Sequence, residues 1–75
     1  MFVKYKLHVI RKSKHMTQRQ LAKRSGVSTA MISFIERGKR HPTFETLILL
    51  AMGLGVKIPD LIKIDEDNRI LTKYI

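Results

Sequence analysis

The sequence has no cysteine, no tryptophan and only two prolines, and its six acidic residues face fifteen lysines and arginines. Without cysteine, neither a disulfide nor a thiolate zinc site can staple the fold. At 75 residues the chain lies near the low end of what folds unaided. Stability must then come from a well-packed helical core or from burial against a second copy. Long apolar runs are missing too. The longest, residues 47–56, is ten residues with two glycines, too short for a bilayer and suited to a buried helix. Lys4, Lys6 and His8 interrupt the N-terminal segment before it can form a signal-peptide core. The expectation is a soluble, cytoplasmic protein with no membrane association.

The shortage of acid is local. Residues 1–41 hold eleven Lys/Arg and one acid, Glu36, a charge of +10; residues 42–75 hold four against five, a charge of −1. Solubility alone needs no such split. A basic half beside a neutral half suggests one face for a polyanion and another for core or self-association.

Helix punctuation divides the chain. A stripe of Val3, Leu7, Ile10 and Lys14 predicts a first helix over residues 3–14. Thr17 followed by Gln20 is a capping-box pattern that opens a second helix, which Gly26 ends. Ser28 caps a third helix running to about Arg37 and stopped by Gly38. Thr43 caps a fourth, with Glu45 in its first turn and Leu47, Leu50, Ala51 and Leu54 buried, ending near Gly53 or Gly55. A fifth is expected over residues 58–64, with Pro59 in its first turn. Residues 65–75 form a tail: Asp65 to Asn68 reads as a turn. Beyond it lies either an edge strand, paired with residues 2–5 or with a second copy, or a sixth helix.

Residues 17–36 therefore encode two short helices joined by a tight turn. On the third helix Ile32 and Ile35 point the same way, beside Ser28, and must meet the core. The other arc carries Ala30, Ser33, Phe34 and Arg37, flanked by Thr29 and Met31. Small and hydroxylic side chains at an exposed helix start can approach base edges; Ala30, Met31 and Phe34 can touch a thymine methyl. A helix of this kind on a basic chain points to the major groove of duplex DNA.

The run Thr17-Gln18, Leu21-Ala22, Gly26-Val27, Ser28, Ile32-Ser33, Ile35-Glu36, Gly38 and Pro42 resembles the helix-turn-helix of the Cro/repressor, or XRE, family of regulators. The likeness continues to about residue 63 through Leu47, Leu50-Ala51, Leu54-Gly55-Val56 and Leu61. It implies an all-α, five-helix, lambda-repressor-like DNA-binding domain over residues 1–64 and a sequence-specific transcriptional regulator. Such a protein is expected to be a repressor that binds as a homodimer. By the resemblance, Gln18 contacts a phosphate and braces the first base-reading side chain. Thr29, Ala30, Ser33 and Phe34 read bases and Lys39 and Arg40 contact phosphates; Ser28, at the cap, and Arg37, at the far end of the helix, complete the expected DNA-binding set. It also implies a partly buried ion pair between Arg11 and Glu36. Two departures stand out. Apart from Arg37, the base-reading positions lack a side chain for bidentate pairing, which shifts specificity toward thymine methyls and DNA shape. Lys57 stands where a Ser or Asp cap is usual, so the fifth helix should start irregularly.

Other chemistry is poorly served. His8, His15 and His41 lack metal-ligand spacing. Ser13, Ser25, Ser28 and Ser33 lack a nucleophile elbow, so neither catalysis, a metal nor a cofactor is expected. With no second domain there is no room for a separate small-molecule sensor. The rival readings are an antitoxin-type module that holds a protein partner and regulates itself through DNA, and a nonspecific nucleoid-type binder.

Overall fold

A computed structural model describes residues 3–64. Side-chain oxygens start three of its four α-helices. Thr17 Oγ1 accepts from the Gln20 N–H at 3.0 Å, and Gln20 Oε1 accepts from the Thr17 N–H at 2.8 Å, opening α2 (Gln18–Ser25) with a complete capping box. Ser28 Oγ takes the Met31 N–H at 3.0 Å to open α3 (Thr29–Glu36). Thr43 Oγ1 takes the Thr46 N–H at 3.1 Å to open α4 (Phe44–Leu54).

Residues 3–5 and 58–64, at the two ends of the described region, depart from the expected helices. Residues 3–5 are a strand, β1 (Val3–Tyr5), and α1 (Leu7–Ser13) starts after Lys6 with no side-chain cap. Val3 and Tyr5 are half-buried with Lys4 exposed between them, a period of two. Val3, Leu7 and Ile10 fit a helical stripe equally well, and the tertiary partner decides. That partner is the chain just past α4. Residues 58–61 form only a 3₁₀ turn (Ile58–Leu61), closed by Asp60 Oδ2 accepting from the Lys57 N–H at 3.0 Å. The chain then extends as β2 (Ile62–Ile64), antiparallel to β1 with Val3 opposite Ile64 and Tyr5 opposite Ile62. The Lys6 N–H donates to the Leu61 carbonyl at 2.8 Å and prolongs the pairing. Among the described residues the fold is therefore four α-helices and a two-stranded sheet, in place of five helices. β-Branched Ile62 gains a ladder there that a further helical turn would not supply. The tail and its expected turn and strand or helix lie outside the described residues.

Three helices end alike. After α1, α3 and α4 the residues His15, Gly38 and Gly55 take positive φ of 56°, 72° and 71°. In each case the next N–H reaches back to the carbonyl five residues earlier: Met16 to Arg11, Lys39 to Phe34 and Val56 to Ala51. His15 makes this left-handed turn without being a glycine. Gly53, expected as a helix stop, instead lies inside α4. A Cβ there would meet Ser25 Cβ at 2.9 Å and Leu21 Cδ1 at 3.2 Å, so the glycine lets α2 and α4 touch backbone to backbone.

The core is Leu7, Leu21, Ile32, Ile35, Leu47, Leu50, Ala51, Leu54 and Leu61, with Val27 at its edge. Every element from α1 to the 3₁₀ turn contributes, so the two helices spanning residues 17–36 are held from behind.

Candidate nucleic-acid interface

The turn between α2 and α3 is built from four residues. Gly26 adopts φ of 80° and reverses the chain, Ser25 Oγ accepts from the Val27 N–H at 3.1 Å, buried Val27 plugs into the core, and Ser28 caps α3. With Ile32 and Ile35 locked in the core, the start of α3 faces outward. Ser28, Thr29, Ala30 and Arg37 are exposed, and Ser33 and Phe34 are half-buried. Met31, expected on the outward arc, packs against the core. On the helical wheel it lies 40° from Ile35, one turn earlier, so the buried stripe is wider than the two isoleucines alone indicate.

Arg11 and Glu36 meet at the junction of α1 and α3 with side chains 7% and 4% exposed. Arg11 donates through Nε to Glu36 Oε2 at 2.7 Å and through Nη2 to Oε1 at 2.9 Å, a two-pronged pair. Its Nη1 donates to the Met16 carbonyl at 2.7 Å. Gln18, expected to face phosphate, turns its Nε2 onto Glu36 Oε1 at 3.0 Å, tying the start of α2 to the end of α3. His8 Nδ1 lies 3.1 Å from Glu36 Oε1 and 3.2 Å from Arg11 Nη2. It serves the carboxylate as a donor or the guanidinium as an acceptor, according to its tautomer. His8 is an exposed residue, its side chain 55% accessible; its place three positions before Arg11, on the same helix face, is the sequence signal for this contact.

Burial pushes the Glu36 carboxyl upward, but hydrogen bonds from Arg11, Gln18 and His8 and the Arg11 charge outweigh it, holding the carboxyl below its ordinary value. The hydrogen bond to Glu36 raises the Arg11 guanidinium against an opposing burial effect. Both groups stay charged at neutral pH.

Gly38 turns the chain back after α3, and the Lys39 N–H donates to the Phe34 carbonyl at 2.8 Å. Exposed Lys39, Arg40 and His41 follow. The Arg37 and Arg40 guanidinium carbons lie 5.2 and 5.5 Å from the Phe34 ring centroid, a grouping that helix periodicity alone does not reveal. His41 packs edge-on to Tyr5 of β1, ring centroids 5.7 Å apart, with Nδ1 3.3 Å from the Tyr5 hydroxyl. Among the described residues, no cluster of potential ligands could hold a metal ion, and no helix is long and apolar enough to cross a membrane.

Two capped helices at a glycine turn, the second showing small polar side chains beside a basic loop, define a helix-turn-helix DNA-binding domain. Residues 7–61 match the helix-turn-helix family, and the chain belongs to it. It is similar to an HTH-type transcriptional regulator of Sinorhizobium fredii, 43% identical over 64 residues that cover 85% of this chain and 83% of the relative. It is also similar to the immunity repressor protein of Bacillus phage phi105, 32% identical over 62 residues, 83% of this chain and 43% of the repressor. Among solved structures, the restriction-modification controller protein C.AhdI from Aeromonas hydrophila superposes with a TM-score of 0.71 at 27% identity, covering 73% of this chain and 83% of that one.

Proposed function

We propose that this chain is a sequence-specific DNA-binding transcriptional regulator, a repressor, that places α3 in the major groove as one half of a homodimer. The observation that carries the reading is the division of α3. Its Ile32–Ile35 side is sealed in the core, while Ser28, Thr29 and Ala30 stand exposed at its capped start. Backbone contacts then fall to the exposed basic residues Arg37, Lys39 and Arg40, which fix position but carry no base information. Gln18 works from behind: bonded to Glu36, it sets the angle at which α2 presents α3.

Self-association is supported by α4, where Phe44 and Met52 are 68% and 73% exposed and no basic residue lies between them. On a chain of +9, this is where a second copy approaches with least repulsion. The same apolar face favours one rival, a module that holds a different protein and binds DNA only to regulate itself.

Selection of bound duplexes from a random pool at about 150 mM salt, where nonspecific phosphate contacts are weakened, separates these readings. The expected outcome is a two-fold-symmetric motif whose half-site spacing reports the dimer. If nothing is enriched, sequence-specific regulation is wrong, and partner binding or nonspecific binding takes its place.

A further inference from the structure

The end of the recognition helix is organised around one aromatic ring. Gly38, at φ of 72°, folds the loop back, the Lys39 N–H closes onto the Phe34 carbonyl at 2.8 Å, and Arg40 thereby returns to the ring that Arg37 already covers from its own helix. Both guanidinium groups lie within cation–π range of Phe34. Arg37 Nε donates to the Ser33 carbonyl at 3.4 Å, which helps hold the group over the ring; a stacked guanidinium still directs its terminal in-plane N–H donors outward, which suits bidentate capture of a phosphate. Two like charges gathered at one ring repel each other unless an anion joins them. Glu36, the one acid in residues 1–41, is already engaged by Arg11, Gln18 and His8. Among the described residues, neither Arg37 nor Arg40 is paired with a carboxylate.

We propose that Phe34 is a positioning residue for the DNA backbone: its ring presets Arg37 and Arg40 as a phosphate clamp at the end of α3, and it does not itself read a thymine methyl. The inference rests on the DNA-binding reading above. The ring orders two long, flexible side chains before binding, and so removes part of the entropy each would otherwise lose on contact.

The test measures affinity for a mixed-sequence duplex and for a duplex enriched from the random pool, across a salt series, with thermal melting of every variant. Phe34→Leu keeps apolar bulk but removes the π face, and should weaken both duplexes by a similar factor, about 5- to 30-fold for two exposed cation–π contacts. Phe34→Tyr should remain within about twofold of the parent, since the π face persists. In an Arg37→Ala/Arg40→Ala background, Phe34→Leu should have no further effect. Arg37→Lys/Arg40→Lys is a surface change that tests the clamp even if Phe34→Leu unfolds. It keeps both charges yet should lose several-fold in affinity, because an ammonium cannot present a planar fork.

The proposal is overturned if Phe34→Leu weakens only the enriched duplex or changes the selected motif, which would make Phe34 a base reader. It is equally overturned if the double lysine variant binds as tightly as the parent. A parent protein that binds neither duplex would instead sink the DNA-binding reading itself.

Discussion

Replacing Glu36 with glutamine changes one carboxylate oxygen to an amide nitrogen and leaves the shape almost intact, yet it sets an N–H₂ group against the donors of Arg11. The pair is 7% and 4% exposed, so solvent screens little of it. Glu36 accepts from both Nε and Nη2 of Arg11, and from Gln18 as well. Glutamine offers one acceptor oxygen, and the Arg11 charge stays buried without a counter-charge. Removing one partner of a buried pair costs about 3–5 kcal/mol. A domain of this size has about 4–11 kcal/mol in total. We expect a loss near the low end, about 3 kcal/mol, because the amide still satisfies one donor, and a melting point lower by on the order of 15 °C. Arg11→Met/Glu36→Leu removes both charges together and should cost less than either Arg11→Met or Glu36→Gln alone. The pH dependence carries an independent check. A carboxyl held below its ordinary value contributes stability that is fully present above the unfolded-state pKa of about 4.3. That contribution is lost as pH falls through the lower folded-state value. The gap between parent and Glu36→Gln should therefore be widest at neutral pH and narrow below about pH 4. Denaturant melts at pH 7 showing less than about 1 kcal/mol between the two would refute the reasoning, since that is the scale of an exposed pair.

Gly53→Ala improves helix propensity by about 1 kcal/mol but drives a methyl against Ser25 Cβ and Leu21. Overpacking costs about 1–3 kcal/mol, so net destabilisation is expected in thermal melts, and a stabilised variant would show that α2 and α4 are not in close contact. His15→Gly relieves a left-handed residue at the end of α1; the relief of about 1–2 kcal/mol exceeds the added chain entropy of glycine, giving about 0.5–1 kcal/mol of stabilisation in denaturant melts. Lys39→Ala should weaken all duplexes and reduce the slope of log K against log salt by about one unit, whereas Ala30→Gln should change the selected motif; equal effects would dissolve the division between backbone and base contacts. Phe44→Ser/Met52→Ser should shift sedimentation toward monomer, and an unchanged dimer would exclude the α4 face.

Helix starts were legible because each is decided by one nearby oxygen: Thr17, Ser28 and Thr43 cap the helices they were expected to cap. Residues 3–5 and 62–64 were not, because what forms there is decided by a distant partner. Val3 and Tyr5 pair with Ile64 and Ile62 across the whole domain, and no local periodicity encodes that distance. Gly53 misled for a related reason: a glycine that stops a helix and one that admits a neighbouring helix look alike in sequence, and only the approach of Ser25 separates them. In the interface, Thr29, Ala30, Lys39 and Arg40 are exposed and on the surface that the helical wheel and the basic loop indicated. The engagement of Gln18 with Glu36, and of Arg37 and Arg40 with Phe34, depends on side-chain reach and loop return that spacing does not carry.

These two engagements share one consequence. Glu36 is held by residues from α1 and α2, while Phe34, two positions earlier, gathers the arginines that follow. The C-terminal half of α3 is thus fixed on its inner side by charge-assisted hydrogen bonds and dressed on its outer side with guanidinium groups, and the exposed N-terminal half is left short and polar. An ion pair that contributes modestly to stability relative to an apolar core has a second use here. It links the start of α2 to the end of α3 through Gln18 and ties α1 to Met16, just ahead of α2, through Arg11. Substituting Gln18 with Leu should then reveal the geometric role. It leaves the Arg11–Glu36 pair in place, so stability should fall by about 1.5–3 kcal/mol, the worth of one hydrogen bond to a charged group. DNA affinity should fall by more than that loss explains, because a small change in helix angle is amplified along α3. Equal and small losses in melting and in binding would mean that the angle is set by the apolar core alone.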